Sequence, residues 1–102
     1  MDEDGNFRVE KFNGQNYQLW KMQMEDYLYQ KDLYLPLNKK TKKSMSMKDE
    51  EWDILDRKAL GTIHLCLVVS VAFNVSRETA TKDIMKKLAS LYENPQPPTR
   101  YF

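Results

Sequence analysis

The sequence is poor in cysteine, histidine and glycine, and each shortage excludes a class of protein. Its one cysteine, Cys66, cannot form a disulfide within the chain, and with the one histidine, His64, it cannot complete a zinc site. The three glycines lie far apart and cannot form a phosphate-binding loop. We therefore expect no metal, no cofactor, no small-molecule substrate and no enzymatic activity.

Long apolar runs and an excess of one charge are also missing. The longest apolar run, from Leu65 to Phe73, is about half the roughly 20 residues that a membrane span needs. The acidic start, Met1 to Asp4, has no apolar stretch behind it and does not resemble a signal peptide. The 16 Lys and Arg residues nearly balance the 15 Asp and Glu residues, which argues against a highly basic nucleic-acid-binding domain. These features predict a cytoplasmic protein without a membrane partner.

The 102 residues, of which 41% are hydrophobic and 30% charged, suffice for one globular domain. Apolar residues recur every three or four positions in three stretches, which predicts helices from about Tyr17 to Lys31, Lys48 to Leu67 and Ala80 to Glu93. The β-branched stretch from Val68 to Val75 fits either a short buried helix or an extended link. The predicted fold is therefore all-α, a small orthogonal bundle of three main helices plus this short element.

The composition changes towards both ends of the chain. Residues 1–10 are polar and predict a flexible N-terminus, and residues 11–93 form the predicted helical domain. The last stretch, residues 94–102, contains Pro95, Pro97 and Pro98, which cannot continue a helix. We expect this stretch to be a disordered, proline-rich tail.

Short polar residues mark where the helices should begin. Asn16 and Thr79 are placed as N-caps of the first and last helices, and Ser46 with Asp49 matches the spacing of a capping box. Between the first two helices, the leucines from Leu33 to Leu37 are expected to cover one end of the first helix. These signals set the boundaries of the predicted elements.

The helical stripes also predict the core. Cys66 is expected to pack as a small apolar residue and His64 to lie partly at the surface. The two tryptophans lie in the middle of such stripes, where core packing is more typical than stacking on nucleic-acid bases. The predicted core anchors are Phe12, Trp20, Met24, Leu28, Trp52, Leu55, Ala59, Ile63, Leu67, Leu88, Leu91 and Tyr92.

A lysine-rich linker joins the first two helices. Clustered lysines attract phosphates without sequence preference, so a weak RNA contact is one interpretation, and a solvated linker is the other. The residues concerned are Lys39, Lys40, Lys42 and Lys43.

Several motifs in this order resemble one known family. They begin with Phe12-Asn13-Gly14, Asn16-Tyr17 and Trp20, continue through Trp52 and Leu55-Asp56, and end with Ser90-Leu91-Tyr92. This series resembles the start of the Gag polyprotein of copia-type LTR retrotransposons, over about residues 9–93. Family members often carry a tryptophan where Met85 stands here, and they continue into further helices and a zinc knuckle.

The resemblance implies a capsid-like helical lobe that acts in protein–protein association. Its expected partner is a second copy of itself or full-length Gag, and the proline-rich end suggests a truncated or co-opted Gag product. The expected partner interface comprises Tyr17, Tyr27, Tyr29, Val71 and Phe73, although the same side chains could instead complete the core. The alternatives are an adaptor that binds a linear peptide in a helical groove near Trp20 and Tyr27, and the weak RNA binder.

Overall fold

Helices make up most of the regular structure of this protein. The computed structural model describes residues 9–38, 40 and 43–93, so the predicted tail and most of the predicted flexible N-terminus lie outside it. A 3-10 turn, Leu35–Leu37, separates the first two helices. The helices are α1 (Tyr17–Gln30), α2 (Asp49–Leu65), α3 (Val69–Asn74) and α4 (Thr81–Tyr92). Over the described residues there are only helices and turns plus one isolated β-bridge, which confirms the all-α prediction.

The β-bridge attaches the start of the chain to the end of α2. The N–H of Phe12 donates to the carbonyl of Cys66 at 2.8 Å, and the N–H of Val68 donates to the carbonyl of Phe12 at 3.0 Å. These two bonds pair Phe12 with Leu67 in a parallel arrangement. They also explain why α2 ends at Leu65, two residues before its predicted end, because the next residues pair with Phe12 instead of continuing the helix.

The start of α1 depends on backbone geometry more than on a cap. Asn16 is the N-cap as predicted, but it adopts a left-handed conformation and its side chain makes no capping hydrogen bond. The preceding turn contains Gly14 at φ 101°, a conformation that glycine adopts without strain. A Cβ at Gly14 would lie 3.5 Å from the Tyr92 ring, so the turn also packs closely against the end of α4.

The start of α2 differs from the prediction. The N-cap is Lys48, whose N–H donates to the Glu51 carboxylate at 2.8 Å. The predicted box of Ser46 and Asp49 does not form, because the N-cap position is two residues later, at Lys48, and the Ser46 hydroxyl bonds to that of Ser44 at 2.8 Å. The first turn of α2 is acidic, as predicted, and the positive end of the helix dipole stabilises these acidic side chains.

In the C-terminal half, the structure decides between two alternatives for one stretch and corrects one predicted cap. The Val68 to Val75 stretch contains a short helix, α3, with Val71 and Val75 buried, rather than an extended link. The last helix begins at Thr81 with Ala80 as its N-cap, so the prediction that Thr79 caps this helix is wrong. The α4 N-terminus is instead capped by Asp56 of α2, which accepts a hydrogen bond from the Thr81 N–H.

The core is formed by α1, α2 and α4 together with Val9, Phe12, Leu67, Val71 and Val75. Leu91 was predicted inside but is 44% exposed, because Tyr92 rather than Leu91 packs against the Phe12 ring in the last turn of α4. Leu55 and Tyr92 are only half-buried. The predicted anchors that are buried are Phe12, Trp20, Met24, Leu28, Trp52, Ala59, Ile63, Leu67 and Leu88.

Aromatic rings tie three parts of the chain together. The Phe12 ring lies 5.1 Å from Trp20, 5.7 Å from Tyr17 and 5.2 Å from Tyr92, measured between ring centroids. Aromatic pairs in this range add to the gain from burial. The cluster therefore fastens the incoming chain to both α1 and α4.

The 3-10 turn and the residues before it contact three helices. The turn packs against α2 and α4, where Pro36 is buried. Just before it, the N–H of Leu33 donates to the carbonyl of Leu28 at 2.7 Å, at the end of α1. No helix in the described part of the chain is both long and apolar enough to cross a membrane.

Candidate protein–protein interface

The predicted interface residues separate into buried and exposed groups. Tyr17 and Val71 lie in the core, so the structure removes them from any partner surface. Tyr17 is buried because it lies on the inner face of α1, where its hydroxyl donates a hydrogen bond to the carbonyl of Met85 at 3.4 Å. Tyr29 and Phe73 are exposed, and Tyr27 is half-buried with the Lys31 ammonium 5.6 Å from its ring centre.

The outer face of α1 carries one group of exposed apolar side chains. Leu19, Met22 and Tyr29 project away from the core at spacings of three and seven residues. Asp26 lies on the same face and interrupts it, and the Tyr29 ring already stacks on Tyr34 with a centroid distance of 4.2 Å. This face is therefore mixed rather than continuously apolar.

The short helix α3 carries the more exposed group. Val69 is 86% exposed and Phe73 is 77% exposed, and their spacing of four residues places them side by side on one face. Val71 between them points into the core, which holds this face outward. The interface predicted from the sequence includes Phe73 but not Val69, although the four-residue spacing identifies Val69 once the stretch is assigned to a helix.

The linker lysines are engaged with the acidic start of α2. The Lys40 ammonium lies 3.3 Å from the Asp53 carboxylate, and the Lys43 ammonium lies 3.1 Å from that of Asp49. The hydrogen bond from Lys43 and the charge of Lys40 lower the pKa of Asp49. These cations are thus partly neutralised within the chain. The other two predicted RNA contacts, Lys39 and Lys42, lie outside the described residues.

Within the part of the chain that the structure describes, the reactive side chains are not assembled into a chemical site. Cys66 is half-buried, and burial raises the pKa of its thiol although the Lys11 charge acts in the opposite direction. A raised pKa leaves less thiolate for nucleophilic chemistry. Within the described ranges, no three His, Cys, Asp or Glu side chains are placed to hold a metal ion.

A cleft of about 350 Å³ lies between the incoming chain and α1. Trp20 lines this cleft while remaining only 5% exposed, and its indole N–H has no hydrogen-bond partner among the described residues. A buried donor without an acceptor is unfavourable. The other polar side chains around it are Glu10, Lys11, Asn13, Gln15, Asn16 and Gln23.

The chain shows clear sequence similarity to a transposon polyprotein. The chain is 38% identical, over 87 residues, to the retrovirus-related Pol polyprotein from transposon TNT 1-94 of Nicotiana tabacum. The match covers 84% of this chain but spans 7% of the length of that polyprotein. No family model and no solved structure matches the chain. The similarity confirms the predicted relationship: the chain is homologous to a short segment of the polyprotein of a copia-type retrotransposon.

Proposed function

We propose that this chain is a Gag-type association lobe whose copies bind each other through the exposed face of α3, formed by Val69 and Phe73. The single observation that supports the proposal is the exposure of both side chains, at 86% and 77%, on a helix whose other side is fixed in the core. Large apolar side chains exposed together mark interaction sites more often than isolated ones do.

The α3 face is a better candidate than the outer face of α1. Asp26 lies within the α1 face, and burying an unpaired carboxylate would be costly. Ser70, the exposed residue directly after Val69, is uncharged, and no charged side chain occurs in α3. A contact centred on α3 therefore loses less by desolvation.

The energetics predict a weak association. Burying Val69 and Phe73 on both copies of a two-fold dimer gains about 6–12 kcal/mol, at about 1.5–3 kcal/mol for each side chain. Association costs about 4–15 kcal/mol in lost motion. Because these amounts nearly cancel, we expect an equilibrium that depends on concentration. On a longer polyprotein that also associates through other contacts, the same face would bind the α3 face of a second copy, whose local concentration would then be higher.

The test is the molar mass of the full chain, measured by light scattering over a hundredfold range of concentration. We expect the wild-type mass to rise with concentration and the Val69→Ser, Phe73→Ser variant to remain monomeric. The matched control is Leu19→Ser, Met22→Ser, which removes two exposed apolar residues from α1 and should associate as the wild type does. A monomeric wild type, or a Val69→Ser, Phe73→Ser variant that still associates, would refute the proposal.

Peptide binding is a second candidate, favoured by the unpartnered indole N–H of Trp20 beside a cleft. A backbone carbonyl of a bound peptide could accept that hydrogen bond. Trp20→Phe keeps most of the apolar packing and removes the donor. Equal peptide binding by the folded variant and the wild type would argue against this function.

The RNA contact is the least favoured function, because Lys40 and Lys43 already face carboxylates. It would appear as sequence-independent retention that falls steeply with salt. Replacing all four linker lysines by glutamine should abolish such retention, and unchanged retention would exclude the linker as the contact.

A further inference from the structure

The segment that leads into α1 lies between the end of α2 and the cleft lined by Trp20. Within this segment, Phe12 uses both its backbone N–H and its carbonyl for hydrogen bonds, to Cys66 and Val68 respectively. In an extended chain, successive residues direct their N–H and C=O groups to opposite edges. The backbone groups of Lys11 and Asn13 therefore face the edge away from the end of α2.

This second edge offers main-chain groups to a partner. No backbone hydrogen bond among the described residues involves Lys11 or Asn13. Asn13 makes a local contact through its side chain, whose amide oxygen accepts a hydrogen bond from the Gln15 N–H at 3.0 Å. The side chains of Lys11 and Asn13 are exposed. A strand edge of this kind is a template for a further strand, since its N–H and C=O groups remain available for pairing.

The cleft of about 350 Å³ adjoins the same edge. Its opposite wall is formed by α1 residues, which include Leu19 and Gln23. Paired strands lie about 4.7–4.9 Å apart, so we expect a strand added to this edge to enter the cleft. The volume is at the lower end of the roughly 300–1,000 Å³ that is typical of ligand pockets, which suits a short segment.

A buried polar group in the lining also indicates a ligand. Trp20 is only 5% exposed, and its indole N–H has no acceptor among the described residues. A bound peptide brings backbone carbonyls, which are the acceptors that such a donor requires. Phe12 and Leu19 add apolar surface beside the indole. The cleft thus combines a donor with a place for an apolar side chain.

The charges around the cleft favour an uncharged ligand. Glu10 and Lys11 are the charged residues of the lining, and their charges are opposite. The other polar side chains there are amides, which bind neutral groups as readily as charged ones. Because the lining has no net charge, it does not select a charged ligand by electrostatic complementarity.

We infer that an extended, uncharged peptide segment of a partner protein binds in this cleft as a strand added to the edge at Lys11 and Asn13. The inference rests on the peptide-binding function proposed above and specifies its mode, in which main-chain hydrogen bonds hold the ligand. Side chains of a strand alternate between two faces, so every second residue of the peptide points towards Trp20 and Leu19. Apolar residues fit those positions, and polar residues fit the positions between them.

The test titrates the full chain with a fluorescent, end-blocked peptide in which serine and valine alternate, and follows binding by anisotropy. Two further peptides carry N-methyl groups either on every serine nitrogen or on every valine nitrogen. Only one of these two sets of N–H groups faces the neighbouring edge in a paired strand. We expect one methylated peptide to bind about tenfold more weakly than the unmethylated one, because it loses hydrogen bonds, and the other to bind about equally.

A backbone variant tests the edge on the protein side. Lys11→Pro removes the N–H of residue 11 and leaves the bonds of Phe12 to Cys66 and Val68 in place, as an edge position allows. We expect this variant to bind the unmethylated peptide about tenfold more weakly than the wild type. The matched control is Lys11→Ala, which removes only the side chain and should bind as the wild type does. Urea unfolding checks that both variants fold.

Each contrary result has a separate meaning. Equal binding of the two methylated peptides, or unchanged binding by folded Lys11→Pro, would overturn the strand mode and leave peptide binding itself standing. No binding of the unmethylated peptide at about 1 mM would overturn the peptide-binding function as well. The α3 association is independent, so the Val69→Ser, Phe73→Ser variant should bind the peptide as the wild type does. Loss of binding in that variant would place the peptide on α3 and overturn the inference.

Discussion

Asp56 of α2 holds the first turn of α4 through Thr81. The Asp56 carboxylate accepts a hydrogen bond from the Thr81 N–H at 2.8 Å, and the Thr81 hydroxyl donates to the Asp56 carbonyl at 2.9 Å. Thr81 is fully buried, and the N-cap residue Ala80 has no side-chain oxygen to offer. One residue of α2 thus performs the capping that α4 lacks in its own sequence.

Removal of this cap should destabilise the fold. We expect Asp56→Ala to lower the free energy of unfolding by about 1–2 kcal/mol, as the loss of an N-cap oxygen usually does. Asp56→Asn should cost less, because its amide oxygen can still accept. Urea unfolding followed by tryptophan fluorescence measures both. The control is Asp53→Ala in the same helix, whose exposed ion pair with Lys40 should contribute less than about 1 kcal/mol; equal losses from Asp53→Ala and Asp56→Ala would contradict the capping role.

The two leucines of α4 should differ sharply in their contributions to stability. Leu88 is fully buried, so Leu88→Ala should cost about 2–5 kcal/mol through lost transfer energy and the cavity left behind. Leu91 is 44% exposed, and Leu91→Ala should cost less than about 1 kcal/mol. Denaturant midpoints of the two variants provide the comparison, and a large loss from Leu91→Ala would place Leu91 in the core after all.

The Leu91 result shows where sequence reasoning reaches its limit. Helical spacing predicted α1, α2 and α4 to within one or two residues at most ends, because amphipathic periodicity is a local property. Which end-of-helix residue packs inward depends on contacts distant in sequence, here that of Tyr92 with Phe12. Periodicity alone could not supply that information.

The same dependence on contacts distant in sequence explains why a helix cap and parts of the candidate sites could not be predicted from the sequence. The cap of α4 comes from Asp56, 25 positions earlier in the chain, so the local signal at Thr79 was misleading. The lysines of the linker stand out in the sequence as a group of cations, but the pairing of Lys40 with Asp53 and of Lys43 with Asp49 depends on how the linker folds back on α2. Phe73 could be named from the sequence, whereas Val69 required the helical assignment of its stretch.

The phenol of Tyr17 should titrate well above the usual range of a tyrosine. Burial, with smaller contributions from the charges of Glu93 and Glu25, raises the pKa of Tyr17 from 10.0 to about 12. The folded state therefore keeps a proton that the unfolded state releases above pH 10, so the contribution of Tyr17 to stability is complete below pH 10 and falls as the pH rises to about 12. Ultraviolet titration measures this step. Tyr17→Phe should remove the absorbance change near pH 12, and an unchanged titration would contradict the burial of the phenol.

Cys66 should react slowly with thiol reagents. Burial raises the pKa of its thiol, so at pH 8 the folded chain holds less thiolate than an exposed cysteine would. We expect alkylation to be several-fold slower in the native state than in urea. A native rate equal to the unfolded rate would show that the thiol is freely exposed.

The central claim is that two copies meet at the face of α3, and intermolecular nuclear Overhauser effects test it most directly. A sample that mixes carbon-13-labelled and unlabelled chains, at a concentration where the mass has risen, reports only contacts between copies. We expect cross-peaks from the Val69 methyl groups of one copy to the Phe73 ring of the other. Cross-peaks confined to Leu19, Met22 and Tyr29 of α1, or none at all in an associated sample, would contradict the account.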